Sequence, residues 1–261
     1  MPPTSGRPTL LAQTILDGSD PELFTPIGTV TIQVPDIVTS DILSVFDHGG
    51  PIGISPGYSA AGKLISMAIA DDKICRIIEF SQPKNANQRG SGRPSTTIKP
   101  AAVLALQKLQ DHVLCRTAGD IFAFDMGPLT MSLYCDLGGL RIANAVDIQS
   151  AFSAVDRKAL TAIKTALGTT GTIKISEVNV THVFSNPIYD FDDKNRVTDL
   201  AQRAWVSQYL VRSGNGAEMF EKVPRIDTKK LDPGVSLVFE TIMSCSTSNT
   251  LALGRHRQGC H

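Results

Sequence analysis

The sequence has no excess of charge of either sign, few aromatic residues and no apolar run long enough to span a membrane. Its 25 Lys and Arg residues balance 25 Asp and Glu residues, and aromatic residues make up 6% of the chain. Proteins dedicated to nucleic acid usually carry a basic excess, because neutralising phosphates drives their affinity. Any contact with nucleic acid or anionic lipid is therefore expected from a local patch, and any membrane contact from lying on the surface.

Cysteines are few, odd in number and widely spaced. None of the five forms a CxxC pair, which predicts reduced thiols rather than a disulfide framework. The N-terminal sequence MPPTSGRPTL lacks the basic and apolar regions of a secretory signal,. The sequence therefore predicts a soluble protein that is not secreted.

Motifs that hold cofactors or metals are also missing. Neither GxxxxGK[ST] nor GxGxxG before a helix occurs, so no nucleotide cofactor is predicted. His256, Cys260 and His261 have no fourth ligand nearby, which is typical of a frayed tail,. The acidic residues at 190–193 resemble the start of a calcium loop, but Lys194 occupies the third ligand position,. No metal is predicted, and these carboxylates are expected to cap a helix.

One stretch matches a catalytic pattern in form only. Gly53-Ile-Ser55-Pro-Gly57 reads as GxSxG, the nucleophile elbow of serine hydrolases,. Pro56 directly after the serine removes the backbone N–H that would complete an oxyanion hole. A plain turn is the preferred interpretation, no catalytic residue is predicted, and the chain is expected not to be an enzyme.

The pattern of apolar residues predicts an α+β fold, a twisted and mainly antiparallel sheet with about four helices packed on it. We expect a flexible arm at 1–26, one globular domain at 27–245 and a polar tail at 246–261. A loop is predicted at 48–57. Strands are predicted at 28–34, 63–70, 74–80, 121–124, 129–136, 140–146, 172–184 and 235–243. Helices are predicted at 37–46, 100–113 and 154–167, with a fourth that Asp192 or Asp193 caps and that runs to about Arg212.

The most informative local feature is a basic loop at 81–99, with almost no large apolar residues and no acidic residue. Flexible positive charge on a neutral protein suits contact with phosphates of lipid or nucleic acid, although a solvated loop without function is an equal alternative. The C-terminal tail is a second candidate. The predicted contact residues are Lys84, Arg89, Arg93, Lys99, Arg255 and Arg257.

The order of elements resembles one known family. The strand 28–34 leads into a helix that ends Ser44-Val-Phe-Asp-His48, and the strand 63–70 follows. Later come Gly171-Thr-Ile-Lys-Ile-Ser-Glu-Val-Asn-Val180, a helix at 197–204 and Ser213-Gly-Asn-Gly216. This series resembles the matrix proteins of rhabdoviruses, and the length is similar to that of the plant-infecting members.

The resemblance implies a non-enzymatic viral structural protein that self-assembles, condenses the ribonucleoprotein and contacts the inner membrane leaflet. The partners it implies are further copies of the chain, the viral ribonucleoprotein or nucleocapsid protein, and an anionic membrane surface, with no small-molecule substrate. The implied location is the virion and the host cytoplasm or nucleus, at the membrane periphery.

Two alternatives stay open. A viral movement or coat protein that binds nucleic acid would suit strands such as the one expected at 127–135. An enzyme whose residues meet only in space, for example His48, Asp71 or Asp72, would require a deep pocket that gathers several perturbed groups.

Overall fold

A seven-stranded β-sheet lies at the centre of the structure, a computed structural model that describes residues 8–12, 14–39, 41–80, 100–151, 158–168, 173–213 and 216–230. The fold is α+β, as the sequence predicts. The strands are β1 (Pro8–Thr9), β2 (Leu16–Gly18), β3 (Ile27–Gln33), β4 (Ile52–Tyr58), β5 (Leu64–Ala70), β6 (Ile74–Glu79), β7 (Ile121–Ala123), β8 (Ala145–Asp147) and β9 (Ile173–Ile175).

Seven α-helices occur in the described residues, more than the four expected. They are α1 (Val34–Thr39), α2 (Pro100–Leu109), α3 (Met126–Asp136), α4 (Ala159–Leu167), α5 (Glu177–Ser185), α6 (Lys194–Arg212) and α7 (Gly216–Glu221). A turn of π-helix, Gln110–Leu114, continues α2, and short 3₁₀ turns lie at Pro21–Phe24, Ser44–Phe46, Ile148–Ala151 and Thr228–Lys230. None of the helices in the described ranges is long and apolar enough to cross a membrane.

The sheet has the strand order β1-β3-β6-β5-β4-β7-β8. Its central strands β4, β5 and β6 form an antiparallel meander. On one side β3 pairs with β6 in parallel, and β1 closes that edge antiparallel to β3. On the other side β7 pairs with β4 and β8 with β7, both in parallel. A separate two-stranded sheet joins β2 and β9.

Each face of the central sheet is covered by its own apolar cluster. The cluster on the α6 face contains Trp205, Tyr209 and Phe220 together with residues of α4 and α5. The cluster on the α3 face contains Leu129, Leu133 and Leu109 together with residues of α1. All seven residues of β5 are buried, because consecutive side chains of this central strand enter opposite clusters.

The N-terminal segment contributes to the core on the α6 face. Five of its apolar residues are buried there: Leu11, Ala12, Ile15, Leu16 and Leu23. The described part of the segment predicted as a flexible arm, 1–26, therefore packs on the domain rather than extending from it. The boundaries of the predicted domain itself stay predictions.

Two predicted strands are helices. Residues 129–136 lie in α3, whose first turn contains Pro128, a position where the missing N–H costs nothing,. Within the strand predicted at 172–184, the described residues from Ile173 onward form the short β9 and then α5. In α5, Val180 and Val183 are buried at helical spacing while Val178 is exposed. The alternation of apolar and polar residues at 173–180 had predicted a strand, and the side chains that pack on the core overrule it.

The loop predicted at 48–57 is also wrong, because most of it forms β4. Pro56 fits within this strand because β7 pairs only with Ile52 and Gly53, and the next bridge on that side of β4 is at Tyr58,. The strands predicted at 63–70 and 74–80 and the helix that ends at Arg212 are confirmed. The strand expected at 235–243 and the tail lie outside the described residues.

Candidate functional site

The phosphate-contact residues predicted from the sequence all lie outside the residues that the structure describes, and their role stays a prediction. They are Lys84, Arg89, Arg93, Lys99, Arg255 and Arg257. Within the described chain, candidate sites occur instead in two cavities along α6.

Helix α6 packs unusually close to β4. A Cβ added to Gly53 would collide with the carbonyl oxygen of Ala204 and lie 2.8 Å from the backbone nitrogen of Gln208. Arg203 contacts Ser55, further along the strand. Later residues of the helix therefore face earlier residues of the strand, and the two elements run in opposite directions, with one cavity at each end of their contact.

The first cavity, named the Arg203 cavity, lies where β4 ends. It has a volume of about 430 Å³, and its wall includes Ser55, Tyr58, Asp125 and Arg203. Apolar surface comes from Phe124 and Phe184, whose rings meet edge to face at 4.6 Å, and from Pro128 and Pro187.

Arg203 is the most unusual group in this cavity, because its guanidinium is buried among neutral oxygen atoms. It donates from Nε to Ser55 Oγ at 3.0 Å, from Nη1 to Val183 O at 2.9 Å and Asn186 O at 3.2 Å, and from Nη2 to Pro56 O at 3.4 Å. These contacts use four of the five N–H donors of an arginine. One Nη2 donor therefore remains for a ligand.

The charge of Arg203 is poorly compensated. The residue is only 7% exposed, and no ion pair of the described residues includes it. The pKa of Arg203 is lowered to about 10, because burial lowers it by more than the nearby Asp199 carboxylate raises it. The guanidinium is still protonated at neutral pH, so a positive charge faces the cavity in surroundings that solvate it less well than water does.

Asp125 lies in the wall of the same cavity with a rare backbone conformation. Its φ of 53° and ψ of 46° place it in the left-handed region, which non-glycine residues seldom adopt and which recurs at functional sites. Its backbone N–H donates to Gln149 Oε1 at 2.9 Å, and its side chain is exposed at the start of α3. The cavity thus presents a carboxylate as well as a guanidinium.

The second cavity, named the Gln208 cavity, lies at the other end of the contact between α6 and β4. It measures about 610 Å³ and includes His48, Asp71, Asp72, Lys73, Gln208 and Arg212. His48, Asp71 and Asp72 are therefore neighbours. The sequence analysis gave these residues as examples for an enzyme site whose members meet only in space. His48 Nε2 lies 3.0 Å from Oδ2 of the buried Asp71.

Both ring nitrogens of His48 already have hydrogen-bond partners. The backbone N–H of Gly50 donates to Nδ1 at 3.0 Å, so Nε2 carries the hydrogen and donates it to Asp71. Asp71 Oδ1 also accepts from the N–H groups of Lys73 and Ile74, each at 2.7 Å. This pair therefore ties the loop before β4 to the turn after β5.

The formal GxSxG match is not a nucleophile elbow. Ser55 lies within β4, opposite Ala68 of β5, instead of on a sharp turn. No hydrogen bond of the described chain joins Ser55 to a histidine, and its Oγ accepts from Arg203. Ser55 can still donate its own hydroxyl hydrogen into the Arg203 cavity.

No cluster of three or more His, Cys, Asp or Glu residues that could hold a metal ion occurs among the described residues. Sequence patterns pointed to His48, Asp71 and Asp72 but missed Arg203 and Gln208. Both lie in the middle of α6, where every residue from Asp199 to Leu210 is buried. Buried and exposed positions therefore do not alternate there, and no periodic pattern marks a polar residue as unusual.

Comparison with known proteins gives a distant structural match and no match in sequence. No protein-family model and no curated protein matches the chain. A solved structure that matches is that of the EXO domain of Nibbler from Aedes aegypti, with a TM-score of 0.48 and 12% identity over 74% of this chain and 86% of that one.

This comparison corrects the predicted family. The neighbour is an EXO domain, and no family model or curated protein supports a rhabdovirus matrix protein or the non-enzymatic viral structural role that this resemblance implied. One element of the resemblance was the segment from Gly171 to Val180, in which residues 173–175 form β9 and residues 177–180 begin α5.

Proposed function

We propose that the protein binds a phosphate-bearing ligand in the Arg203 cavity. The observation that carries the proposal is a buried, protonated guanidinium that has only neutral hydrogen-bond partners and faces an open cavity. An anionic oxygen there would accept from the remaining Nη2 donor and from the Ser55 hydroxyl, and would restore charge balance.

The walls of the cavity favour a ligand that combines a phosphate with a ring. Phe124, Phe184, Pro128 and Pro187 provide apolar surface beside the guanidinium, and aromatic faces stack with planar groups. A nucleoside monophosphate, free or within a single strand, offers both parts.

The first test compares ligand binding by wild type and Arg203→Gln, using titration calorimetry with adenosine 5′-monophosphate. We expect saturable binding by the wild type and an affinity at least about tenfold lower in the variant, because hydrogen bonds to charged groups contribute about 1.5–3 kcal/mol. The affinity should also fall as pH rises through about 10, where Arg203 loses its proton.

The matched control is Arg196→Gln, which removes the same charge from the same helix at a partly exposed side chain. Equal weakening by both substitutions would show nonspecific attraction and contradict the proposal, as would unchanged binding by Arg203→Gln. Ser55→Ala is the replacement test variant if Arg203→Gln does not fold. It removes one hydroxyl from the cavity, and it should weaken binding without unfolding the protein.

Turnover of that ligand is a second candidate function, favoured by the left-handed conformation of Asp125 in the cavity wall. A carboxylate beside a bound phosphate ester can act as a general base. This function would be supported if the wild type releases product from a single-stranded oligonucleotide, whereas Asp125→Asn still binds the oligonucleotide but releases no product. Binding without turnover by the wild type would exclude it for that substrate.

A further inference from the structure

The Arg203 cavity presents its two charged groups at separate places in its wall. Burial raises the pKa of Tyr58, the Asp125 carboxylate raises it further and the Arg203 guanidinium lowers it, so Tyr58 lies near both charges,. Burial lowers the pKa of Arg203, and Asp125 is not among the described groups whose charges shift that pKa further. The carboxylate and the guanidinium therefore lie apart, each near Tyr58, and a ligand reaches both by extending across the cavity.

The Asp125 carboxylate is accessible to such a ligand. Asp125 is exposed, belongs to the cavity wall and directly follows Phe124, whose side chain belongs to the same wall. An ionised carboxylate accepts hydrogen bonds at about four lone-pair sites on its two oxygens, so it can accept from a ligand as well as from the protein. A flat group packed beside Phe124 can therefore place its edge at an acceptor for two parallel N–H donors.

The nucleobase of the proposed ligand is the group whose edge would meet this carboxylate, and the common bases differ in the donors they offer. Guanine has two adjacent donors, N1–H and the N2 amino group. Adenine and cytosine have an acceptor nitrogen beside their amino group, and uracil and thymine have a carbonyl oxygen on each side of their single N–H. These acceptors repel a carboxylate, so guanine alone offers a donor to each of its oxygens.

We propose that the ligand of the Arg203 cavity is a guanine nucleotide, with its phosphate on Arg203 and Ser55 and with N1–H and the N2 amino group on the Asp125 carboxylate. This inference rests on the proposed phosphate site and adds the identity of the base to it. A carboxylate engaged with the base does not lie beside the phosphate, so this role of Asp125 and that of a general base exclude each other.

The test measures by titration calorimetry the affinity of the full-length protein for the 5′-monophosphates of guanosine, inosine, adenosine and cytidine. We expect guanosine monophosphate to bind at least about tenfold more tightly than the adenosine and cytidine compounds, because hydrogen bonds to a charged group are strong. Inosine monophosphate, which has the N1–H donor but lacks the amino group, should have an intermediate affinity.

Asp125→Asn is the test variant, because asparagine has the same size and tolerates the left-handed backbone of this position,, while an NH₂ donor replaces one acceptor oxygen. It should weaken the binding of guanosine monophosphate at least about tenfold and leave that of adenosine monophosphate nearly unchanged. Asp192→Asn is the matched control. It removes the same charge at an exposed position outside the cavity wall and should leave every affinity unchanged.

Equal affinities of the wild type for the guanosine and adenosine compounds would overturn the guanine preference and leave the phosphate site intact. A guanine preference that persists in Asp125→Asn would overturn the assignment of the base to Asp125. Failure of every nucleotide to bind would overturn the phosphate site itself. If Asp125→Asn does not fold, the wild type still tests the two-donor contact, since guanosine and inosine monophosphates that bind equally would contradict it.

Discussion

At the scale of single residues, the absence of a side chain at Gly53 decides how near α6 lies to β4. The space that a Cβ would need is occupied by the backbone of Ala204 and Gln208, and backbone atoms cannot move aside as a flexible side chain can. Both candidate cavities depend on this contact, because Arg203 and Gln208 are held at its two ends.

Gly53→Ala is expected to lower the free energy of unfolding by about 1–3 kcal/mol, the usual cost of forcing extra volume into a packed interior. Urea denaturation followed by circular dichroism measures the change. Gly127→Ala is the control, because nothing lies within 4 Å of its added Cβ and alanine favours the helix by up to about 1 kcal/mol. A Gly53→Ala variant as stable as Gly127→Ala would refute the close contact.

Residue types in the sequence were a partial guide to the site. His48, Asp71 and Asp72 could be proposed together, since polar residues in a glycine-rich loop and a tight turn are plausible members of one site, and the structure gathers them. Their chemistry could not be predicted, because the N–H of Gly50 on Nδ1 depends on the folded loop. Arg203 could not be found, because its importance comes from burial against β4 and not from any local motif.

At the scale of elements, α6 positions both cavities, and its start is fixed by one side chain. Asp193 Oδ1 accepts from the backbone N–H of Asn195 at 2.8 Å, as a helix N-cap does. The sequence predicted Asp192 or Asp193 in this role, and the structure assigns it to Asp193.

Asp193→Ala should destabilise the protein by about 1 kcal/mol through the loss of this cap. The exposed neighbour Asp192 is the control, because Asp192→Ala removes the same charge beside the same helix without removing the cap. Thermal unfolding monitored by circular dichroism compares the two. Equal melting temperatures would mean that the cap does not stabilise α6.

Elements also show where sequence patterns fail. The strands β5 and β6 were predicted closely because they are apolar runs bounded by a polar turn. Segments 129–136 and 173–185 mix β-branched residues with short turns, so their local preferences allow either structure. The choice of helix there is made by packing, with Leu129 and Leu133 on one face of the sheet and Val180 and Val183 on the other.

At the scale of the whole molecule, the two apolar clusters share one sheet and are expected to unfold together. In β5, Met67 and Ile69 belong to the cluster on the α3 face, while Ala68 and Ala70 belong to the cluster on the α6 face. Loss of either cluster exposes the same strand, so neither face can lose its packing while the other keeps a complete sheet.

Leu133→Ala tests this coupling at a distance, because Leu133 is fully buried on the α3 face whereas the single tryptophan, Trp205, lies on the α6 face. The substitution should lower the free energy of unfolding by about 2–5 kcal/mol. It should lower the melting temperature by the same amount whether the transition is followed by Trp205 fluorescence or by far-ultraviolet circular dichroism. Leu104→Ala, at a side chain that is 49% exposed, should leave both transitions nearly unchanged. A Trp205 transition that stays at its wild-type temperature while the circular dichroism transition falls would mean that the two faces are separate cooperative units.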